Sequence, residues 1–227
     1  MSRLLIIGAA VVTAAVLGKN LAPERTSTTL PDPVDARSVT GGTTATAVLA
    51  GGCFWGIEGV YEHVKGVVDV VSGYAGGTVA NPTYEQVSAE VTGHAEAVLV
   101  TYDPSQVSYG ELLKIFFSVA HDPTQRNRQG PDVGTQYRSA IFFSDAEQEK
   151  VAREYIAQLT NAKVFSRPIV TEVSALVKFY PAEEYHQDYM EHHPNQPYIV
   201  IHDRPKVKHL KEQFPQHYRD RTTAAKR

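Results

Sequence analysis

Apolar and polar positions along the chain change period several times, and each change marks an element. From Thr43 to Ala50 the residues are β-prone, and the run stops at Gly51 and Gly52, as expected of a strand closed by a turn. Ile57 to Val64 then carries apolar residues at helical spacing. Val67–Tyr74 and Ala95–Tyr102 read as strands, Ser108–His121 as an amphipathic helix and Gln136–Phe143 as a further strand. This βαββαβ order predicts an α+β two-layer sandwich with a ferredoxin-like core, its helices packed on one face of a mainly antiparallel sheet. Asp145–Asn161 adds a helix, with Ser144 expected as N-cap and Glu147 as its capping-box partner. Ile169–Phe179 is expected to be one strand. A helical stretch over Glu183–His192, the apolar run Tyr198–Ile201 and a polar helix from about Lys206 complete the pattern.

The N-terminal region follows neither period. Arg3 precedes an apolar run of about 15 residues, short for a membrane-spanning helix but suited to a secretory signal or an N-terminal anchor. Lys19–Gly42 is rich in Pro, Thr, Ser and Asp and reads as a linker. The expected organisation is therefore a signal peptide or membrane anchor at 1–18, a flexible linker at 19–42, a catalytic domain at 43–219 and a disordered tail at 220–227. The expected destination is outside the cytoplasm, either a bacterial periplasm or a membrane surface to which residues 1–18 tether the domain.

Composition narrows the chemistry mainly through cysteine. The 227 residues are 42% hydrophobic and 21% charged, with a formal net charge of −3. That suits one well-buried soluble domain, expected to be a monomer, and implies no basic surface for nucleic acid. Cys53 is the single cysteine, so neither an internal disulfide nor a cysteine-rich metal site can form. A lone cysteine is more often a small buried core residue than a nucleophile. Its setting argues otherwise: Cys53 stands between a strand and a helix, where unpaired amide N–H groups and the helix dipole favour a thiolate. Gly51, Gly52 and Gly56 give the turn backbone freedom. Phe54 and Trp55 offer an apolar surface, although both fit an ordinary core equally well.

Six segments in order, GGCFWG, GYAGG with NPTYEQV, TGHAEAV, HDPTQRNRQGPDVGTQYRSAI and EYHQDY, resemble the A-type peptide methionine sulfoxide reductases. The resemblance covers about Thr43 to Ile201 and implies thiol-dependent reduction of the S epimer of methionine sulfoxide, in proteins and as the free amino acid. It implies Cys53 as nucleophile, Phe54 and Trp55 as the pocket for the substrate methyl group, and Glu96, Tyr84 and Tyr137 around the sulfoxide oxygen. Asp132 matches a position with a supporting polar role near the same pocket.

Chemistry gives these roles independent sense. Attack on sulfoxide sulfur requires its oxygen to take up protons, which a carboxyl group kept neutral in an apolar pocket can supply. Tyrosine hydroxyls can hydrogen-bond the developing negative charge without ionising. Product release leaves Cys53 as a sulfenic acid. Many relatives resolve that acid with further cysteines, but this chain has none, and Ser88 stands where some relatives place one. No bound cofactor is expected. An external thiol must restore Cys53, whether thioredoxin, glutathione with glutaredoxin, or dithiothreitol.

Three competing readings follow from the residues. A cysteine hydrolase would pair Cys53 with a histidine base, and His94 and His186 are candidates among nine histidines. A metal module would use His186, His192 and His193, but on one helix His186 and His193 would lie about 10 Å apart, too far for a compact site. A non-catalytic receptor for oxidised peptides would have no need of a thiol at the turn.

Overall fold

The structure, a computed structural model, describes residues 30–34 and 44–221. The elements in chain order are β1 (Ala45–Gly51), α1 (Phe54–Glu62), β2 (Val67–Ala75), α2 (Tyr84–Ser88), β3 (Ala95–Tyr102), α3 (Tyr109–Ile115), β4 (Arg128–Gln129), β5 (Asp132–Val133), β6 (Ser139–Phe143), α4 (Ala146–Asn161), β7 (Glu172–Ala175), β8 (Phe179–Pro181), α5 (Tyr189–His192) and α6 (Arg204–Gln213). The six-stranded sheet runs β7-β6-β1-β3-β2-β8. Its inner four strands pair antiparallel in the ferredoxin-like order, as the element pattern predicted, and β4 with β5 makes a separate small hairpin.

Both faces of the sheet are covered, and the period of two decides which residue goes where. Ala47, Leu49, Val98, Val100, Val70 and Ile141 face the helices and form the main core with Ile57, Val60, Leu112, Leu113 and Val151. Val48, Ala50, Ala95, Ala97, Ala140 and Phe142 face the other way and form a thinner layer capped by Leu99, Leu176 and Phe179. Burial on both faces is why β1 reads as a near-continuous apolar run rather than an alternating one.

Several elements depart from the sequence pattern. Ile169–Phe179 is not one strand: β7 pairs parallel with β6 at one edge, and β8 pairs with β2 at the other. Only residues 176–178 join them, a reach of about 14 Å, whereas five inter-strand spacings span about 24 Å in a flat sheet. The sheet must therefore curl until its edges approach. The expected Ser108–His121 helix is α-helical only to Ile115 and widens into a π-helical turn over Phe116–Ala120, where the His121 ring stacks on Phe116 and bonds its carbonyl at 3.0 Å. The cap of α4 is Asp145, not Ser144. Its carboxylate accepts from the Gln148 amide at 2.9 Å, and the Gln148 side chain accepts from the Ser144 amide, so Glu147 takes no part. The strand predicted from Gln136 starts at Ser139 because Thr135–Tyr137 is a 3₁₀ turn. Glu183–His192 breaks at Asp188, whose φ of 53° is left-handed, so His186 and His193 share no helical face.

The tether also differs in part. Within the expected linker, Leu30 joins the core, Asp32 pairs with Lys114 at 2.6 Å, and Tyr155 bonds the Pro31 carbonyl at 3.0 Å. Residues 30–34 are thus docked on α3 and α4. Asp220 and Arg221, assigned to the tail, are likewise held, Arg221 by Glu62 at 3.0 Å and by Asp188. The signal or anchor expected at 1–18, the rest of the linker and the last six tail residues lie outside the described residues.

Candidate active site

The strand β1 delivers Cys53 to the start of α1 through Gly52. Gly52 has φ +101°, and a Cβ there would lie 2.6 Å from the Gln129 Cβ. Only glycine lets the β4–β5 hairpin close over this turn. Cys53 occupies the N-cap of α1 and is 7% exposed. The Trp55 amide favours its thiolate, without closing a cap hydrogen bond. Burial nevertheless dominates and pushes the thiol well above its ordinary range, with Glu96, where it is ionised, and Asp203 adding repulsion. The sequence expectation that the helix end would activate the resting thiol is therefore reversed, because desolvation outweighs the dipole.

Glu96 reaches the site through strand periodicity. It shares the helix-facing side of β3 with Val98 and Val100 and is 2% exposed. Its Oε2 accepts from the Phe54 amide at 3.1 Å, the first free N–H of α1. Burial pushes its pKa up to about 8 against this hydrogen bond, with Asp132 and Asp203 adding repulsion. At neutral pH Glu96 is thus a neutral acid next to the cysteine.

Tyr84 opens α2, whose capping box is Thr83 with Gln86. The Glu183 carboxylate accepts from the Tyr84 amide at 2.9 Å and from the Tyr74 hydroxyl at 2.8 Å. Tyr137 arrives on the 3₁₀ turn after β5. Burial raises both Tyr84 and Tyr137, and each is raised further by Glu96 and Cys53. Both are phenols rather than phenolates, and both share the electrostatic surroundings of the cysteine.

The apolar wall belongs chiefly to Trp55. Its ring stacks on Tyr189 at 3.7 Å and meets Tyr198 edge-on at 6.1 Å. The indole N–H donates to His186 Nδ1 at 3.2 Å. Phe54 is 1% exposed and packs on Tyr74 and His186, so its ring lies under the site. The Tyr198 hydroxyl donates to Asp132. All seven residues singled out from the sequence therefore converge. The sequence reading missed Tyr198, Glu183, Asp203 and Lys206 as contributors; it weighed His186 only as a hydrolase base or metal ligand and gave Tyr189 no role beyond the motif EYHQDY. Tyr198 was visible only as part of an apolar run.

The histidines are arranged unlike a hydrolase base. His94 accepts the Gly77 amide on Nδ1 at 3.0 Å and bonds the Val79 carbonyl through Nε2 at 2.8 Å. His186 uses its Nδ1 lone pair for the indole, so its Nε2 carries hydrogen. His121, packed beside Gly51, bonds the Phe116 carbonyl and Ser139 through its two nitrogens. None of the three offers Cys53 a free basic nitrogen.

A buried thiol at a helix N-cap, a neutral carboxyl on the adjoining amide, nearby phenols and an aromatic wall define a thiol-based oxidoreductase rather than an acyl-transfer enzyme. Comparison with known proteins places it more closely. The family model described as "Peptide methionine sulfoxide reductase" matches residues 45–218, and the chain belongs to that family. It is 53% identical over 191 residues to peptide methionine sulfoxide reductase MsrA 2 of Synechocystis, covering 83% of this chain and 89% of that protein. It is 55% identical over 176 residues to MsrA 2 of Mesorhizobium japonicum, covering 78% and 90%. Among solved structures it resembles reduced Mxr1 from Saccharomyces cerevisiae, with TM-score 0.62, 32% identity and coverage of 72% and 92%. Methionine sulfoxide reductase A of Corynebacterium diphtheriae aligns with TM-score 0.60 and 39% identity, covering 69% and 78%.

Proposed function

We propose that this chain reduces the S epimer of methionine sulfoxide, in polypeptides and as the free amino acid, with Cys53 as nucleophile. The observation that carries the mechanism is Glu96 held neutral on the Phe54 amide. The substrate methyl group lies against Trp55. The Cys53 thiol gives up its proton as its sulfur bonds to the sulfoxide sulfur; that proton and the proton of Glu96 convert the oxygen, hydrogen-bonded by Tyr84 and Tyr137, to water as the S–O bond breaks. Water then bonds to the Cys53 sulfur and returns a proton to Glu96, the S–S bond to methionine breaks, methionine leaves with that electron pair, and Cys53 is left as a sulfenic acid. Asp132, fixed by Tyr198, holds the polar side of the pocket. Two external thiols then return Cys53 to the thiol through a mixed disulfide, releasing water and a disulfide. Thioredoxin, or glutathione with glutaredoxin, is the donor class, and dithiothreitol serves in vitro. The thiols supply both electrons, so the cycle needs no bound cofactor.

Pre-reduced protein without a donor should release about one methionine per Cys53 and stop, since each attack consumes one thiolate. The spent enzyme should react with a sulfenic-acid trap at Cys53, and Cys53→Ser should release none. Continued release without donor, or equal rates with the R epimer, would refute this reading. The basic start and apolar run of residues 1–18 further support export to a periplasm or a membrane tether, with the domain acting as a monomer. Cell fractionation that finds the full-length chain free in the cytosol would overturn that placement.

A further inference from the structure

The reduction step leaves one buried ion pair beside the cysteine without a task. Asp203 is fully buried and ends the π-helical turn Ile199–Asp203, which runs without a break into α6. Its Oδ1 pairs with Lys206 Nζ at 3.1 Å, while Oδ2 has no hydrogen-bond partner among the described residues. The carboxylate is turned toward α1. A Cβ on Gly56 would lie 2.2 Å from Asp203 Oδ1 and 2.5 Å from Lys206 Nζ. The pair is thus pressed against the first turn of α1, three residues after Cys53. Gly56 is the residue that admits it.

We propose that Asp203 and Lys206 form a positioning charge pair for Cys53, in which the carboxylate holds the resting sulfur as a thiol and the lysine limits that hold. The inference rests on the assignment of Cys53 as nucleophile and adds its regulation. The groups facing Cys53 are Glu96 from β3, Asp203 and Lys206 from the segment at α6, the Trp55 amide from α1, and the phenols of Tyr84, Tyr137 and Tyr198. Asp132 in turn faces Glu96 and Asp203. Asp203 acts on Cys53 against the thiolate, and Lys206 acts for it more weakly.

A chain with one cysteine has reason to keep it protonated. Peroxide reacts with the thiolate: sulfur attacks one oxygen, the O–O bond breaks, hydroxide leaves and a sulfenic acid forms. A second peroxide carries that acid to the sulfinic state, which thiols do not reverse. With no internal thiol to intercept the sulfenic acid, suppressing the resting thiolate is the available protection.

The test measures iodoacetamide alkylation of Cys53 against pH, with inactivation by hydrogen peroxide at pH 7.5 as a second readout. Neither uses sulfoxide, so the outcome is independent of whether Cys53 performs the proposed reduction. Asp203→Asn removes the repelling charge and leaves the lysine. Its alkylation midpoint should fall, with alkylation and peroxide inactivation at pH 7.5 about tenfold faster, the lower range for a neighbouring charge. The double variant Asp203→Asn with Lys206→Met should fall between Asp203→Asn and the parent. A purely structural pair would not give this order, because the second substitution would add damage rather than reverse the first. If Asp203→Asn does not fold, the double variant, which leaves no unpaired buried charge, decides alone. A midpoint at or above that of the parent overturns the proposal, as does a double variant matching Asp203→Asn.

Discussion

Glu96→Gln separates two effects that one carboxyl group exerts on the reaction. Gln retains the acceptor for the Phe54 amide, so the turn at Cys53 keeps its geometry, but it cannot give up a proton. Loss of a positioned general acid costs about 10²–10⁴-fold in the chemical step. Above about pH 8, where Glu96 ionises, its charge opposes the Cys53 thiolate, and the substitution removes it. Above that pH Glu96→Gln should therefore alkylate faster with iodoacetamide, while at neutral pH it should be a worse enzyme toward sulfoxide. Its stability carries a third signature. A carboxyl raised from 4.5 to about 8 by burial stabilises the fold below the unfolded value, and that contribution is lost as pH rises to about 8. The full penalty is on the order of 5 kcal/mol as an upper bound. The variant should thus gain thermal stability over the parent between pH 5 and pH 9. Rapid-quench single turnover, alkylation rates and thermal unfolding across that range measure all three. A single-turnover rate within about threefold of the parent would refute proton donation by Glu96. A stability gap that stays constant with pH would refute its buried, neutral state.

Tyr84→Phe and Tyr137→Phe should each slow single turnover about tenfold, because the remaining phenol partly covers for the lost one. The double variant should reach the roughly 10²–10³-fold expected for losing an oxyanion donor; near-parental turnover in the double variant would place both rings in the core alone. Gly52→Ala should lose about 2 kcal/mol or more in chemical denaturation, since alanine must adopt φ +101° against Gln129. Unchanged stability would contradict the closure of the hairpin over the cysteine turn. His186→Phe keeps a ring but orphans the Trp55 indole N–H, at a cost of about 1–3 kcal/mol. Its KM for sulfoxide should rise more than its kcat falls, and a kcat collapse with constant KM would instead make His186 a direct participant.

The sequence alone determined the elements that local physics controls. The strand–Gly–Gly–Cys–helix turn, the alternation of β3 that sends Glu96 inward with Val98 and Val100, and the βαββαβ order all follow from side-chain period and glycine freedom. The ordered motifs assembled every proposed catalytic residue. What they left open depends on groups far apart in the chain. Ile169–Phe179 has the composition of one strand, and only the curl of the sheet brings its two halves to opposite edges. The helix-end argument predicted an activated thiolate at Cys53; desolvation by the whole core, with Glu96 and Asp203 brought from 43 and 150 residues away, reverses that sign. Tyr198, Glu183, Asp203 and Lys206 carry no local signature, because an apolar-run tyrosine or a charge at a polar helix looks alike whether it faces solvent or a cysteine. Their roles depend on α1, α6 and the 183–203 segment meeting at one turn, and burial there sets the electrostatics that the linear pattern cannot contain.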